Sequence, residues 1–180
     1  GPRGLEKVVR ELRVIAPELP FEIKFIELEN DQEHFSFHGY ELDAFRVRHN
    51  IICYGYSISV KRAGRFSVEN AMKLNIPKPY WGKLQKGEIV EYEGNTYTSD
   101  MVMGRERKGL KVTYCTDSRP MNQIVDHARD ADIFICEGMY AEKEKAAKAK
   151  QYKHMTFYEA ARLAKKADVK ELWLTHFSPS

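Results

Sequence analysis

Three short apolar runs in the second half of the chain decide the fold: KVTYCTDS at 111–118, IFICEG at 133–138 and ELWLTHF at 171–177. Helix-like segments separate these runs, and strands that alternate with helices predict a mostly parallel sheet. In such sheets ligands bind in the crevice at the carboxyl ends of the strands. The three runs lead into Asp117, Glu137 and His176. The sequence therefore predicts an active site at this edge of the sheet.

The composition is typical of one folded globular domain, or of one domain with an excursion. Of 180 residues, 43% are hydrophobic, 12% aromatic and 31% charged. The net charge of +3 neither requires nor excludes a nucleic-acid partner, because binding depends on how the basic residues cluster. No run approaches the roughly 18 apolar residues of a membrane helix, so no membrane partner is expected.

The cysteines and the two ends of the chain bear on its location and extent. Cys53, Cys115 and Cys136 lie in or beside apolar runs without CxxC spacing, which predicts buried thiols in a reducing compartment and a cytoplasmic location. The chain begins at Gly1 without an initiator Met or a signal-peptide layout, and it stops soon after the last predicted strand. We interpret it as part of a larger protein.

The first half of the chain predicts one helix followed by strands. Apolar residues at helical spacing indicate a helix at 5–14, and alternation of apolar and charged residues indicates a half-buried strand at 21–28. Further strands are predicted at 34–40, 42–48 and 51–60, forming an antiparallel meander. Together with the later βα units, this pattern predicts an α+β or mixed α/β fold.

The second half predicts regular alternation around the apolar runs. The predicted elements are a strand at 112–116, a helix at 121–129, a strand at 133–136, helices at 141–152 and 157–167, and a strand at 171–175. Thr156 and Glu159 have the spacing of a capping box at the start of the last helix. This places His154 just before a helix, near the mouth of the predicted crevice.

Residues 61–107 differ in character from the rest and predict an excursion from the main sheet. Glycines and prolines punctuate the region, and a short helix is predicted at 68–74. Basic residues alternate there with aromatic residues such as Tyr80 and Trp81, a pattern found on RNA-binding surfaces. The alternative is a solvated loop region with a small aromatic cluster.

Three residues are candidate metal ligands on chemical grounds. Asp117 and His176 follow predicted strands, and His49 lies between two of them. Carboxylate oxygen and imidazole nitrogen are ligands of catalytic zinc, and a carboxylate can bridge two metals. Three ligands cannot fill two tetrahedral sites, so a two-metal centre would need residues from outside this chain. The remaining histidines are interpreted as structural or exposed: His34, His38 and His127.

Several motifs occur in an order that resembles one family. They are GPRGL at 1–5, His49, IPKPYWGKL at 76–84, TDSR at 116–119, CEGMY at 136–140, HMT at 154–156 and LTHFS at 174–178. This series resembles ribonuclease Z, the tRNA 3′-processing endonucleases of the metallo-β-lactamase fold. The resemblance covers essentially the whole chain. It implies the second half of an αββα sandwich, with a partial core at 1–60 and 108–180.

The resemblance also implies a role for each candidate residue. His49 would bind one zinc ion, Asp117 would bridge two, and His176 would bind the second. Glu137 would orient His154, which would donate a proton to the leaving oxygen during cleavage. The implied reaction removes the 3′ trailer of precursor tRNA and leaves a 3′-hydroxyl, and the implied assembly is a homodimer.

The implied tRNA contact is a protruding arm at 61–107, with Lys78, Lys83 and Lys86 as RNA-binding residues. Some positions depart from the family pattern: Thr116 stands where Gly is usual, Cys136 where His is frequent, and the HxHxDH ligand motif would lie upstream of Gly1. Two alternatives stay open. One is a phosphodiesterase of the same fold for small substrates, and the other is a metal-free RNA-binding or scaffold module.

Overall fold

The structure is a computed structural model that describes residues 1–37 and 39–178, except for the side chain of Lys143. The interpretation of His38 therefore lies outside the described residues. Contacts divide the chain into two compact units, of which the first comprises Gly1–Val60 with Lys111–Ser180 and the second comprises Lys61–Leu110.

The described residues form the following elements in chain order. The strands are β1 (Gln32–Phe37), β2 (Tyr40–Val47), β3 (Cys53–Arg62), β4 (Val90–Tyr92), β5 (Asn95–Tyr97), β6 (Arg107–Cys115), β7 (Ile133–Glu137) and β8 (Glu171–Thr175). The helices are α1 (Leu5–Leu12), α2 (Val68–Lys73), α3 (Lys78–Gln85), α4 (Ser99–Val102), α5 (Asn122–Ala128), α6 (Ala146–Tyr152) and α7 (Phe157–Lys166). Short 3-10 turns follow α1 at Arg13–Ile15 and precede α6 at Lys143–Lys145.

A mixed six-stranded sheet forms the centre of the first unit, in the order β1-β2-β3-β6-β7-β8. β1, β2 and β3 pair antiparallel, as the predicted meander requires, whereas β6, β7 and β8 pair in parallel. Cys115 of β6 lies opposite Cys136 of β7, and Glu137 lies opposite Thr175 of β8. This register brings the carboxyl ends of three strands to one edge, which confirms the predicted arrangement of the second half.

The larger of two hydrophobic cores in the first unit lies on the face of this sheet that α5 and α7 cover. Its largest fully buried side chains include Phe45, Phe134, Ile124 and Met155. The ring of His127 stacks on Phe45 with the ring centroids 4.1 Å apart, so this histidine is structural. α7 begins with the predicted capping box and buries Ala160, Leu163 and Ala164.

The predicted strand at 21–28 is wrong, because no ladder forms there. Instead the Leu28 amide donates to the Gly1 carbonyl at 2.7 Å, and the Gly1 amino group donates to the Ile26 carbonyl at 2.8 Å. The Gly4 amide donates to a Glu27 carboxylate oxygen at 2.9 Å. The alternating pattern reflects one packed side of an extended segment, and the start of the chain, rather than a strand, satisfies its polar groups.

Two of the three cysteines, Cys115 and Cys136, and the exposed His34 agree with their predictions. Cys115 and Cys136 are buried, Cys53 is half-buried, and all three are free thiols. His34 is exposed, with Asp43 at 2.7 Å from one ring nitrogen and Glu41 at 3.1 Å from the other. None of the helices in the described part of the chain is long and apolar enough to cross a membrane.

The second unit is more regular than the sequence indicates. The predicted helix at 68–74 is present as α2, but α3, α4 and the antiparallel hairpin of β4 and β5 are additional. The unit has its own small core, whose buried residues are Ala71, Ile76, Leu84, Val90, Tyr97 and Val102. Ser67 caps α2 by accepting a hydrogen bond from the Asn70 amide at 3.1 Å.

Candidate metal centre

The parallel strands deliver three functional side chains to one point. His176 follows β8, and its Nδ1 lies 3.8 Å from Oδ1 of Asp117, which follows β6. The same nitrogen lies 3.6 Å from Oε2 of Glu137, the last residue of β7. The cluster predicted from the three strand ends is thus present as a set of neighbouring polar atoms.

Two further histidines join this cluster from other elements. His49 lies in the connection between β2 and β3, and its Nε2 is 3.9 Å from Asp117 Oδ1. His154 lies between α6 and α7, with its ring centroid 5.1 Å from that of His49 and 5.2 Å from that of His176. A hydrogen bond connects the loops that carry these two histidines, since Lys153 Nζ donates to the His49 carbonyl at 3.2 Å.

Glu137 and His154 form a direct pair. His154 Nδ1 and Glu137 Oε2 share a hydrogen bond of 2.9 Å, and Glu137 is completely buried. Burial is the main reason why the pKa of Glu137 rises to about 7, and the hydrogen bond from the Ser118 amide only partly opposes it. Burial, followed by the charge of His49, lowers the pKa of His154.

The backbone at the strand ends has an unusual conformation. Asp117 has φ of 54° and His176 has φ of 60°, and Lys153, just before His154, has φ of 59°. Residues with a Cβ seldom adopt this left-handed region, which costs about 1–2 kcal/mol per residue. Local strain of this kind is frequent at functional sites. The sequence contained only a weak signal for it, since none of the three positions is Gly, although Asp and His adopt this region more often than other residues with a Cβ.

The donor atoms suit a zinc ion chemically. Distances place two groups of three within reach of one cation: His49, Asp117 and His154, and Glu137, His154 and His176. Zinc takes tetrahedral nitrogen and oxygen ligands at about 2.0–2.1 Å, which sets its ligands about 3.3 Å apart. The separations of 3.8 and 3.9 Å around Asp117 are close to that value. The residues therefore fit a metal: His154 is a member of both groups, and Asp117 lies near ring nitrogens of both His49 and His176.

Residues that the sequence did not indicate make hydrogen bonds to the cluster or to the chain beside it. Arg119 pairs with Glu159 through its two terminal guanidinium nitrogens, Nη1 and Nη2, and Nη1 also donates to the carbonyl of His154. The Ser118 amide donates to Glu137. Arg119 and Glu159 lie 40 positions apart, so sequence spacing contained no signal for the pair beyond the proximity of Arg119 to Asp117.

The predicted RNA-binding lysines belong to the second unit. Lys78 begins α3, Lys83 lies in its last turn, Lys86 is its C-cap, and all three are exposed. The aromatic residues beside them face inward: Trp81 Nε1 donates to the Ile76 carbonyl at 2.8 Å. Tyr80 and Trp81 are thus partly buried against a small core, as in the less specific interpretation of this region, whereas the three lysines are exposed.

Comparison with solved structures defines the class of the fold. The short form of human tRNase Z (ELAC1) matches 99% of this chain and 60% of that chain, with a TM-score of 0.61 and 21% identity. The metallo-β-lactamase fold protein YhfI from Bacillus subtilis matches 87% of this chain and 44% of that chain, with a TM-score of 0.53 and 18% identity. The chain therefore has a metallo-β-lactamase fold.

Comparison with curated proteins is more specific. Ribonuclease Z from Agathobacter rectalis is 66% identical and that from Lachnospira eligens 67% identical, each over all 180 residues of this chain and 59% of the relative. No protein-family model matches the chain. The resemblance to ribonuclease Z is thus confirmed along the whole chain, which spans about three fifths of the length of these relatives.

Proposed function

We propose that this chain forms part of a zinc-dependent endoribonuclease that removes the 3′ trailer from precursor tRNA and leaves a 3′-hydroxyl. The observation that carries the proposal is Asp117 at the strand edge, with ring nitrogens of His49 and His176 within 3.9 Å of one oxygen. Similarity to ribonuclease Z along all 180 residues supports the same function.

The proposed mechanism divides the cluster between binding and proton transfer. His49, Asp117 and His176 would hold the two zinc ions, together with ligands from outside this chain. The chemistry that bound zinc would supply is the activation of a water and the stabilisation of charge on the phosphate. Glu137 orients the imidazole of His154 through their hydrogen bond, and His154 donates a proton to the leaving oxygen.

The proposed organisation assigns a different task to each part of the chain. Residues 1–60 and 108–180 form the partial catalytic core, and 61–107 form an arm that binds tRNA. Lys78, Lys83 and Lys86 supply exposed positive charge for the phosphate backbone. We further propose that the enzyme is a cytoplasmic homodimer, in accordance with the ribonuclease Z resemblance.

Cleavage of a precursor tRNA by the full-length protein tests the reaction. We expect one endonucleolytic cut that releases the trailer and leaves a 3′-hydroxyl, loss of this cut with a chelator, and its recovery with zinc. Cleavage that persists after metal removal would contradict the metal-dependent mechanism. Failure to bind about two zinc ions, the number in a two-metal site, would favour the metal-free RNA-binding or scaffold alternative.

A combined substitution of Lys78, Lys83 and Lys86 by Ala tests the arm. We expect weaker precursor binding with a smaller salt dependence, because fewer counterions are released, and unchanged hydrolysis of a small phosphodiester. Replacement of the exposed Lys7, Lys24 and Lys165 by Ala removes the same number of positive charges and provides the control. Equal loss on both substrates, or no loss on precursor tRNA, would favour the small-substrate phosphodiesterase.

A further inference from the structure

Arg119 makes a set of contacts beside the site that the proposed mechanism does not use. Its Nη1 donates to Glu159 Oε2 at 3.0 Å, and its Nη2 donates to Glu159 Oε1, which forms a bidentate pair. The two side chains are only 18% and 24% exposed. A planar guanidinium that meets both oxygens of a carboxylate fixes orientation as well as distance. This pair is therefore a defined connection between the end of β6 and the start of α7.

Arg119 and Glu159 also contact the main chain at His154 and at Thr156, two residues further on. Glu159 accepts a hydrogen bond from the Thr156 amide at 3.0 Å, and its own amide donates to Thr156 Oγ1 at 3.2 Å. Arg119 Nη1 also donates to the main-chain carbonyl of His154, while the His154 amide donates to the Ala149 carbonyl at 2.9 Å. Both main-chain polar groups of His154 are thus held, one of them by Arg119.

Ser118 and Arg119 also make hydrogen bonds to the segment that carries His49. The Arg119 amide donates to the Arg48 carbonyl at 3.0 Å, and the Arg48 amide donates to Ser118 Oγ at 3.2 Å. Arg48 directly precedes His49. The Ser118 amide donates to Glu137. The two residues after Asp117 therefore connect the segments that carry His49, Glu137 and His154.

We propose that Arg119 is a positioning residue, which fixes the imidazole of His154 against Glu137 by holding its main chain and the first turn of α7. This inference rests on the proposed function of the site. Arg119 acts through Glu159 and the His154 carbonyl, rather than on the reacting atoms. A lysine cannot reproduce this arrangement, because its single ammonium group lacks the planar fork that serves both acceptors.

Arg119→Lys in the full-length protein tests the inference, with precursor tRNA as substrate. We expect kcat to fall about 10- to 100-fold, in the range for a misplaced catalytic group, while KM and zinc content stay unchanged. Arg46→Lys is a matched control, because Arg46 makes an exposed pair with Asp31 at 3.0 Å. This control should keep the wild-type kcat. An unchanged kcat in Arg119→Lys, or equal changes of kcat and KM, would overturn the inference.

Glu159→Gln keeps the test usable if Arg119→Lys does not fold. Its amide oxygen can still accept one hydrogen bond, and we expect a smaller loss of kcat. An unchanged kcat in Glu159→Gln would overturn the inference on its own. If Arg119→Lys folds, the double variant should lose less than the product of the two single losses, because both changes break one connection, and multiplicative losses would contradict a shared positioning role.

The NMR signals of the His154 ring separate this inference from the proposed function. In Arg119→Lys these signals should move from their wild-type positions, whereas in Arg46→Lys they should not. If the wild-type protein does not cleave precursor tRNA, the proposed function is wrong, and the His154 signals still test the positioning. Unmoved signals in Arg119→Lys would overturn it regardless of the substrate.

Discussion

The site contains two sets of side chains that are held in place in different ways: Glu137 with His154, and Asp117 with His49 and His176. Glu137 and His154 share a hydrogen bond of 2.9 Å, and Glu137 is fully buried. Asp117 is partly exposed, and it lies 3.8 and 3.9 Å from the nearest nitrogens of His176 and His49, beyond hydrogen-bond range. A direct hydrogen bond joins the first set, whereas the second has the spacing of groups that share a cation.

This difference indicates what each set contributes. Hydrogen bonds from the Ser118 amide and from His154 hold Glu137, so its geometry depends on packing and on partners. Asp117 and His176 depend instead on left-handed backbone conformations at the strand ends. We therefore expect changes in the Asp117 set to alter metal binding and changes in the Glu137 set to alter the rate at constant metal content.

Asp117→Ala has the largest expected effect. Removal of the central ligand should remove zinc from the full-length protein and lower precursor-tRNA cleavage by more than about 100-fold, the upper end of what outer partners of a metal ligand cost. Metal analysis and single-turnover cleavage measure both quantities. Asp126→Ala, at an exposed position of α5, is the control. Retained zinc and activity in Asp117→Ala would rule out the metal centre.

Glu137→Gln should change the rate without changing the metal. The Gln side chain has nearly the same size, but it cannot accept hydrogen bonds on both terminal atoms, so the orientation of His154 is weakened. We expect kcat to fall about 10- to 100-fold with zinc content preserved. Glu171→Gln on the exposed part of β8 is the control. Loss of zinc would instead place Glu137 among the metal ligands and remove the distinction between the two sets.

Thr156→Ala tests whether the N-cap of α7 stabilises the segment that carries His154. Thr156 is the N-cap of α7, and its hydroxyl accepts a hydrogen bond from the Glu159 amide. Loss of this cap should lower the free energy of unfolding by about 1 kcal/mol and reduce kcat less than Glu137→Gln does. Chemical denaturation measures the first effect. Thr156→Ser keeps the hydroxyl and should restore stability, and equal destabilisation in both variants would exclude the cap as the cause.

The smallest expected effect is a pH dependence at Glu159. Burial acts to raise the pKa of Glu159, but hydrogen bonds from Arg119 and Thr156 outweigh it, so the folded pKa lies below its ordinary value. The resulting stabilisation is present above the unfolded pKa of about 4.3 and is lost as pH falls through the lower folded pKa. The stability difference between wild type and Glu159→Gln should therefore shrink below about pH 4. A difference that is constant from pH 6 to pH 3 would contradict this assignment.

The sequence predicted the second half of the fold well because its local signals agree with each other. The apolar runs before Asp117, Glu137 and His176 have strand length, and the intervening segments have helical spacing and one capping box. Parallel strands bring their carboxyl ends together, so the proximity of the three residues followed from topology. The prediction of a strand at 21–28 was wrong because alternation of apolar and charged residues indicates that one side of the segment is packed, but does not show that a neighbouring strand pairs with it.

The support of the site could not be predicted in the same way. Arg119 and Glu159 are 40 positions apart, and nothing local to either residue indicates the other. The left-handed conformations of Asp117 and His176 were not predicted either, because Asp and His adopt this region more often than most residues with a Cβ but still in a minority of cases. These features arise because the surrounding packing and hydrogen bonds outweigh the local preference of the chain.

The sequence by itself determined which side chains could take part in chemistry and the strand ends at which they occur. Residue type and local periodicity suffice for that, and the ordered motifs sufficed for the ribonuclease Z resemblance. Only the tertiary structure decided that Glu137 is buried against His154, that Asp117 stands apart from its histidines, and that Arg119 holds the loop behind them. Burial, interatomic distance and backbone strain depend on residues distant in sequence, so they become defined only when the chain has folded.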